Sequence, residues 1–500
     1  MNFKPEIKEI SLIENAFSKN VNETVQCDII VPDVLEDVGK ILCVDAQSII
    51  ESKELSGGRL TVSGTVSADI LYTPQSGGIE AIHTQMTFSH SEKVEDDSLN
   101  ICAVCHVSSV EHSLYNSRKM NVRANIGIEL SATRDISTEI LSSVESDCPV
   151  EMQSCEVETV SKHINATDVI PFHETLDIPS GSPAAVNVLK CNVSFTDRDF
   201  KLLSNKAVIR GNLLINILYK GEDGELSKAE FTRAITEICD AVGAEENMRE
   251  NIRVSLSPFK AEPTANAEGA MRAFFTEGKL FVETDCRRNE TETVITDMFC
   301  TGCDLKLTSS LISADNKEPV TMLAAVRDII PSAEINAKRI FDSKVSASVV
   351  SSEVKNGEIT VSGKANAGFL ILDNEGAYNY ITRTVPFTYS GAYNEGAPSI
   401  TAKAKGISAQ LSGSGDAEIR FTAVLTAKKR AGEKLNYIAN AQPENTDGAS
   451  EKPSLIVYFT KPGDTLWDIA KRYGATRKNI ISANNLGDTL PEGQKIIIPR

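Results

Sequence analysis

One pattern occurs three times in this 500-residue chain, and it decides the fold class. The first copy, Gly57–Tyr72, reads GGRLTVSGTVSADILY. The second, Asn205–Glu225, reads NKAVIRGNLLINILYKGEDGE. The third, Asn356–Gly376, reads NGEITVSGKANAGFLILDNEG. Each has a turn, a β-rich run, a central glycine (Gly64, Gly211, Gly363) and a longer apolar strand. The centres lie 147 and 152 residues apart, so the repeating unit is a domain rather than one turn of a solenoid. Alternating segments precede each centre (ILCVDAQSIIESK, VLKCNVSFTDRDFK, IFDSKVSASVVSSEV) and follow it (GIEAIHTQMTFS, LSKAEFTRAITEI, YNYITRTVPFTY). Period-two alternation of Val, Ile, Thr and Phe puts one side chain in a core and the next in water. The expected fold is mainly β, with three tandem antiparallel β-sandwich-like domains. Each central glycine reads as a relief point where a strand bends or bulges.

The expected boundaries are 1–150, 151–310 and 311–435 for the three β domains. Residues 436–455 are expected to form a flexible linker, because the alternation fades there and Asn440–Ser454 are rich in Asn, Pro, Glu, Ser and Gly. A small domain fills 456–500. The net charge of -18 argues against a general nucleic-acid binder and against adhesion to anionic membranes. That charge is unevenly placed. From Ile456 onward there are seven cations and four carboxylates, giving +3 and leaving -21 for the rest. The basic tail reads either as a fluctuation in a small module or as a docking face for acidic protein or wall polymer. The first ten residues, with Glu6 and Glu9, do not have the pattern of an export signal, and the apolar runs are too short to cross a bilayer. Eleven cysteines, mostly single, fit a reducing compartment. A cytoplasmic location is expected.

The last segment reads as a β-α-α-β module. Thr465 is placed to cap one helix, with Asp468 three residues on, and Gly474 to stop it. Thr476 is placed to cap a second. The residues Gly463-Asp464-Thr465-Leu466, Ile469-Ala470, Asn484-Asn485-Leu486, Leu490-Pro491-Glu492-Gly493-Gln494 and Ile496 to Pro499 resemble the LysM family closely. Thr460 departs from it, since Val is usual there. The resemblance implies a sugar groove with Gly463, Asp464, Thr465 and Leu466 on one wall and Asn485, Leu486, Leu490 and Pro491 on the other. Caps and core packing account for Asp464, Thr465 and Trp467 without any ligand.

The body carries CDIIVPDVLEDVGKIL from Cys27 to Leu42, just ahead of a β repeat ending in Leu-Tyr. This resembles the SPOCS domain. A reduced form, HETLDIPSGSPAAVNVL, precedes the second repeat, and the third offers only AAVRDIIPSAEINAKRIF. Three such units ahead of one LysM resemble the SipL class of spore-coat morphogenetic proteins, related in role to SpoVID. The resemblance implies a non-enzymatic scaffold in the mother-cell cytoplasm, at the forespore surface. Its implied partners are a SpoIVA-like coat ATPase and other coat proteins, with self-association. The LysM module would bind protein there, or peptidoglycan or chitin-like N-acetylglucosamine oligomers. The rival reading is an exported glycan-binding wall protein.

The sequence has no phosphate-binding Gly-rich loop with its Lys, no HExxH and no nucleophile elbow. CAVCH at Cys102–His106 and CTGC at Cys300–Cys303 are the two CxxC spacings. They lie about two hundred residues apart in different repeats, and Cys102 and Cys105 should face opposite sides of a strand. No catalytic residue, cofactor or metal site is assigned.

Overall fold

The computed structural model describes residues 2–313, 319–394, 396–429, 434–444, 455–486, 490 and 493–499. Strands dominate, as the alternation requires. The first unit contains β1 (Phe3–Ile30), β2 (Val38–Ser56), β3 (Arg59–Pro74), β4 (Glu80–Lys93), β5 (Asn100–Asn116) and β6 (Lys119–Ser146). The second contains β7 (Val150–Asp177), β8 (Ala185–Leu203), β9 (Lys206–Gly221), β10 (Leu226–Asp240), β11 (Arg249–Leu256), β12 (Lys260–Thr264) and β13 (Ala273–Cys300). The third contains β14 (Leu305–Ser313), β15 (Val320–Ile330), the short α1 (Ser332–Ile335), β16 (Ala337–Lys355), β17 (Glu358–Asp373), β18 (Tyr378–Ala392), β19 (Pro398–Leu411), β20 (Ala417–Lys429) and β21 (Lys434–Pro443). The module at the end contains β22 (Leu455–Phe459), α2 (Leu466–Tyr473), α3 (Arg477–Asn484) and β23 (Lys495–Pro499).

Each unit is a sandwich of two antiparallel sheets. In the first, β2-β3-β4 faces β1-β6-β5. The second repeats this with β8-β9-β10 against β11-β13-β12 and β7, and the third with β16-β17-β18 against β15-β20-β19. The three repeats seen in the sequence are the middle strands β3, β9 and β17. Their inward residues fill the cores: Leu60, Val62, Val66 and Ile70 in the first unit, Ile209, Leu213 and Ile215 in the second, Ile359, Val361 and Phe369 in the third.

The central glycines sit where the sequence places them, at irregularities. The neighbouring strand slips register at Ile50/Ser52 opposite Gly64, at Thr196/Asp199 opposite Gly211 and at Val349/Ser351 opposite Gly363. An aromatic ring also lies over each glycine, so an added Cβ would collide with Phe88, Phe195 or Phe387 respectively.

The unit boundaries differ from expectation. The boundary at 310/311 falls inside β14, and β21 runs through the first part of the expected linker, 436–443. The reason is pairing. Leu305 to Ser313 form a ladder with Lys434 to Pro443, burying Tyr437, Ile438 and Ala441. Of the expected linker, 445–454 lie outside the described residues.

The units are not beads on a string. One bulge recurs in β2, β8 and β16 and turns Leu42, Leu189 and Phe341 out of their own sheets. These three side chains meet in one shared core with Leu71, Leu218 and Leu370. Immediately after the bulges stand Cys43, Lys190 and Asp342, opposite those same leucines. Lys190 Nζ lies 2.6 Å from Asp45 of the first unit and 2.7 Å from Asp342 of the third, and Lys344 of the third returns to Asp45. Every unit therefore contacts both others, and the trunk closes into a ring. A second shared core forms farther along, where the β1–β6, β7–β13 and β14–β21 ribbons meet. It joins Leu12 and Ile140 to Val157 and Val294 and to Ile312 and Tyr437.

Lys190 is only 5% exposed. Burial opposes its charge, but Asp342 and Asp45 more than compensate and hold its pKa above the ordinary lysine value. Burial likewise opposes ionisation of Asp45, yet Lys190 and Lys344 hold that carboxyl down at about 2.

Three outcomes follow from this packing. Gly211→Val should lower stability by about 2 kcal/mol or more, because ring and backbone must both move; an unchanged melting temperature would contradict the packing. Lys190→Met should cost about 3–5 kcal/mol by removing the buried cation that Asp45 and Asp342 share, seen as a lowered denaturant midpoint. With a folded pKa near 2 against about 4 unfolded, Asp45 contributes fully above about pH 4 and its contribution is lost as pH falls towards 2. Asp45→Asn should therefore flatten the acid limb of a stability–pH curve.

Candidate functional site: the C-terminal module and its seat

The module folds as its sequence directs. The Thr465 hydroxyl caps α2, accepting from the Asp468 backbone N–H at 3.1 Å and donating to the Asp468 carboxylate at 2.6 Å. Gly474 ends α2 in the left-handed conformation, φ 62°. Thr476 caps α3 by accepting from the Asn479 N–H, and Asn485 closes it with φ 50°. Trp467, Ile469, Ala470, Ile480, Ile496 and Ile498 form the buried centre.

The structure places seven of the eight expected groove residues; Pro491 lies outside the described residues. Leu466, Leu486 and Leu490 are half-buried and pack against the apolar centre of the module. Gly463, Thr465 and Asn485 are exposed. Asp464 is committed to the fold. Its carboxylate accepts from the Tyr458 hydroxyl at 2.7 Å and from the Lys461 N–H at 2.8 Å, and these bonds hold its pKa below the ordinary carboxylate value.

Two residues do more than their place in the motif suggested. The Asn484 side chain donates to Ile497 O and accepts from Ile497 N, both at 2.6 Å, stitching α3 to β23. Thr460 is explained by its hydroxyl, which accepts from the Gln494 N–H at 2.9 Å and is 5% exposed. Valine there could not make that bond.

The module is also docked, contrary to the expectation of a free tethered domain. Its seat is the end of the β7–β13 ribbon. Trp467 packs edge-on against Phe299, with centroids 5.2 Å apart, and its Nε1–H donates to Asp297 at 2.8 Å. Lys471 Nζ meets both oxygens of Asp297, at 2.6 and 2.7 Å. Arg477 binds Glu151 through its backbone N–H and its Nε, and its guanidinium lies over the Trp467 ring. The basic surplus of the module thus meets carboxylates of the acidic trunk. Trp467, Lys471 and Arg477 make these hydrogen bonds to the trunk, while Gly463, Thr465 and Asn485 keep their exposure. The physical reason for docking is joint burial: Trp467 and Phe299, 7% exposed each, form one cluster that neither body could complete alone.

Cys102 and Cys105 separate as the strand geometry requires. Cys105 packs against the core of the first unit, while Cys102 lines a cleft between units. Cys300 and Cys303 lie beside each other and near Cys148, and burial first, then the hydrogen bond with Cys300, pushes the Cys303 thiol up to about 12. Among the described residues, no group of three or more His, Cys, Asp or Glu is arranged to hold a metal ion.

Comparison with known families matches the module and two of the three units. The LysM domain model matches residues 458–499. The model of the SipL, SPOCS domain matches residues 37–115 and 184–263, within the first and second units. No curated protein and no solved structure matches the chain significantly.

Asp297→Lys should unseat the module without touching its own core, because it reverses the charge that holds Lys471 and removes the acceptor of Trp467. Small-angle scattering should then show a larger radius of gyration and a longer maximum dimension, while far-UV circular dichroism stays the same. A scattering curve identical to that of the parent would mean that the seat does not hold.

Proposed function

Because the chain is SipL-like, with SPOCS units ahead of a LysM domain, we propose that it is a non-enzymatic scaffold of spore-coat assembly. SPOCS and LysM are binding families, and together they mark a sporulation protein that carries a module of the peptidoglycan-binding type. The observation that carries the finer reading is the closed three-unit trunk with the module seated at one end. It offers several outward sheet faces on one closed trunk and leaves Gly463, Thr465 and Asn485 exposed. Such a body links partners by raising the effective concentration of weak contacts. In this reading the trunk holds coat proteins and the module contacts the basement layer at the forespore surface, where a SpoIVA-like ATPase is its partner. The mother-cell cytoplasm is the matching location, and no helix among the described residues is long and apolar enough to cross a membrane.

A second reading has its own support. Exposed Gly463, Thr465 and Asn485 beside half-buried Leu466, Leu486 and Leu490 suit N-acetylglucosamine oligomers of peptidoglycan or chitin type.

The two are separated by paired assays. Pull-down from sporulating cells should recover the coat ATPase with the full chain and lose it when 456–500 are deleted. Equal recovery by the truncated chain rejects docking through the module. Sedimentation of the full chain with purified peptidoglycan, abolished by Asn485→Trp, would instead support the glycan reading.

A further inference from the structure

Two joints of the trunk lie side by side, and cysteines mark both. The first unit passes to the second between the end of β6 at Ser146 and the start of β7 at Val150, and that joint carries Cys148. The second passes to the third between the end of β13 at Cys300 and the start of β14 at Leu305, and that joint carries Cys303. Backbone pairing holds the joints together. Cys300 stands opposite Val150 in the β7–β13 ladder, and the Thr301 N–H donates to Pro149 O at 3.0 Å, so the pairing runs a step past the strand ends. Cys148 therefore falls opposite Gly302 and on the same sheet face as Cys300.

The side chains use that placement. Gly302 leaves the room that the Cys148 sulfur occupies, and an added Cβ there would collide with it. The chain bends over Thr301–Cys303 and brings Cys303 back beside Cys300, where the two thiols are hydrogen-bonded. All three cysteines are free thiols; Cys300 is buried, and Cys148 and Cys303 are half-buried. Among the described residues no three His, Cys, Asp or Glu side chains are arranged to hold a metal ion, so the chemistry open to this trio is that of thiols with one another. The trio also adjoins the seat of the small domain. Glu151 follows Cys148 by three residues, and Asp297 and Phe299 precede Cys300 by three and by one.

We propose that this trio is an oxidisable site, at which Cys148 forms a reversible disulfide with Cys303 and staples the two joints, with Cys300 able to take the place of Cys303 by exchange. The oxidant is the disulfide of a low-molecular-weight thiol. Cys148, as its thiolate, attacks one sulfur of that disulfide, and one small thiolate leaves. Cys303 then gives its proton to water and attacks the Cys148 sulfur, and the second small thiolate leaves. Two protein thiols are oxidised to one S–S bond, and the small disulfide is reduced to two thiols. Burial pushes the Cys303 thiol up to about 12. That slows its attack, and it denies the reduced form the stabilised thiolate that makes a disulfide easy to reduce. The staple is slow to form and hard to lose, a structural bond rather than a rapid sensor. Its loop encloses the whole second unit, so it constrains the unfolded chain strongly. The staple is independent of which partner the small domain binds.

The test uses the full chain, reduced and then freed of reductant. It is equilibrated with oxidised glutathione, and non-reducing peptide mapping by mass spectrometry locates the bonds. Cys148 should be found linked to Cys303 or, after exchange, to Cys300. The melting temperature of the oxidised chain should rise by several degrees and return to its starting value with dithiothreitol. Cys148→Ser should keep the melting temperature of the reduced parent and lose the rise, while Cys102→Ser should keep the rise. If Cys148→Ser folds poorly, the mapping of the parent decides alone. The proposal is overturned if Cys148 stays free or carries only glutathione, if the bond joins Cys300 to Cys303 alone, or if the bridged chain melts no higher than the reduced one.

Discussion

The architecture depends on one buried ammonium group. Lys190 stands where three sandwiches meet and is answered by Asp45 from one neighbour and Asp342 from the other. A charge so far from water is tolerable only when its partners are fixed at bonding distance. Fixing them requires all three units in place together. The apolar contacts around Leu42, Leu189 and Phe341 supply cohesion, but apolar surfaces slide. The ion cluster supplies register, and the second shared core keeps the long ribbons parallel enough to present a seat at their far end.

That seat links the trunk to the small domain. Asp297 and Glu151 are trunk carboxylates at the end of the second ribbon, and the module brings Trp467, Lys471 and Arg477 to them. A partly buried aromatic pair flanked by ion pairs resists salt better than exposed charges do. Helices α2 and α3 therefore have a fixed bearing relative to the trunk.

Much of this was legible in the sequence, and what was not has a physical cause. The alternation of β3, β9 and β17 survives because both strand faces have settled environments. The central glycines announced bulges because no Cβ fits beneath Phe88, Phe195 or Phe387. The LysM caps were equally plain. The long ribbons were hidden, since β1, β7 and β13 pass from sandwich to exposed ladder and back into a core shared between units. Their polar residues follow that path rather than a simple period. The inter-unit cluster was invisible because equivalent positions carry Cys43, Lys190 and Asp342, three unlike residues that no repeat search aligns. Trp467 read as module core, which it is, but its second neighbour, Phe299, lies 168 residues away in the chain. The one hint was the opposite charge of tail and body.

The unlikeness of those three residues has a consequence for how such a chain can diversify. Three sandwiches of one design could in principle trade places. Here each carries its own token at the common corner, neutral, positive and negative in turn, and the salt links close only when they stand in this order. Duplicating or exchanging a single unit would set an ammonium against an ammonium, or leave a carboxylate facing hydrocarbon. The repeats are alike in shape yet not interchangeable, so each has become a numbered part with one permitted position.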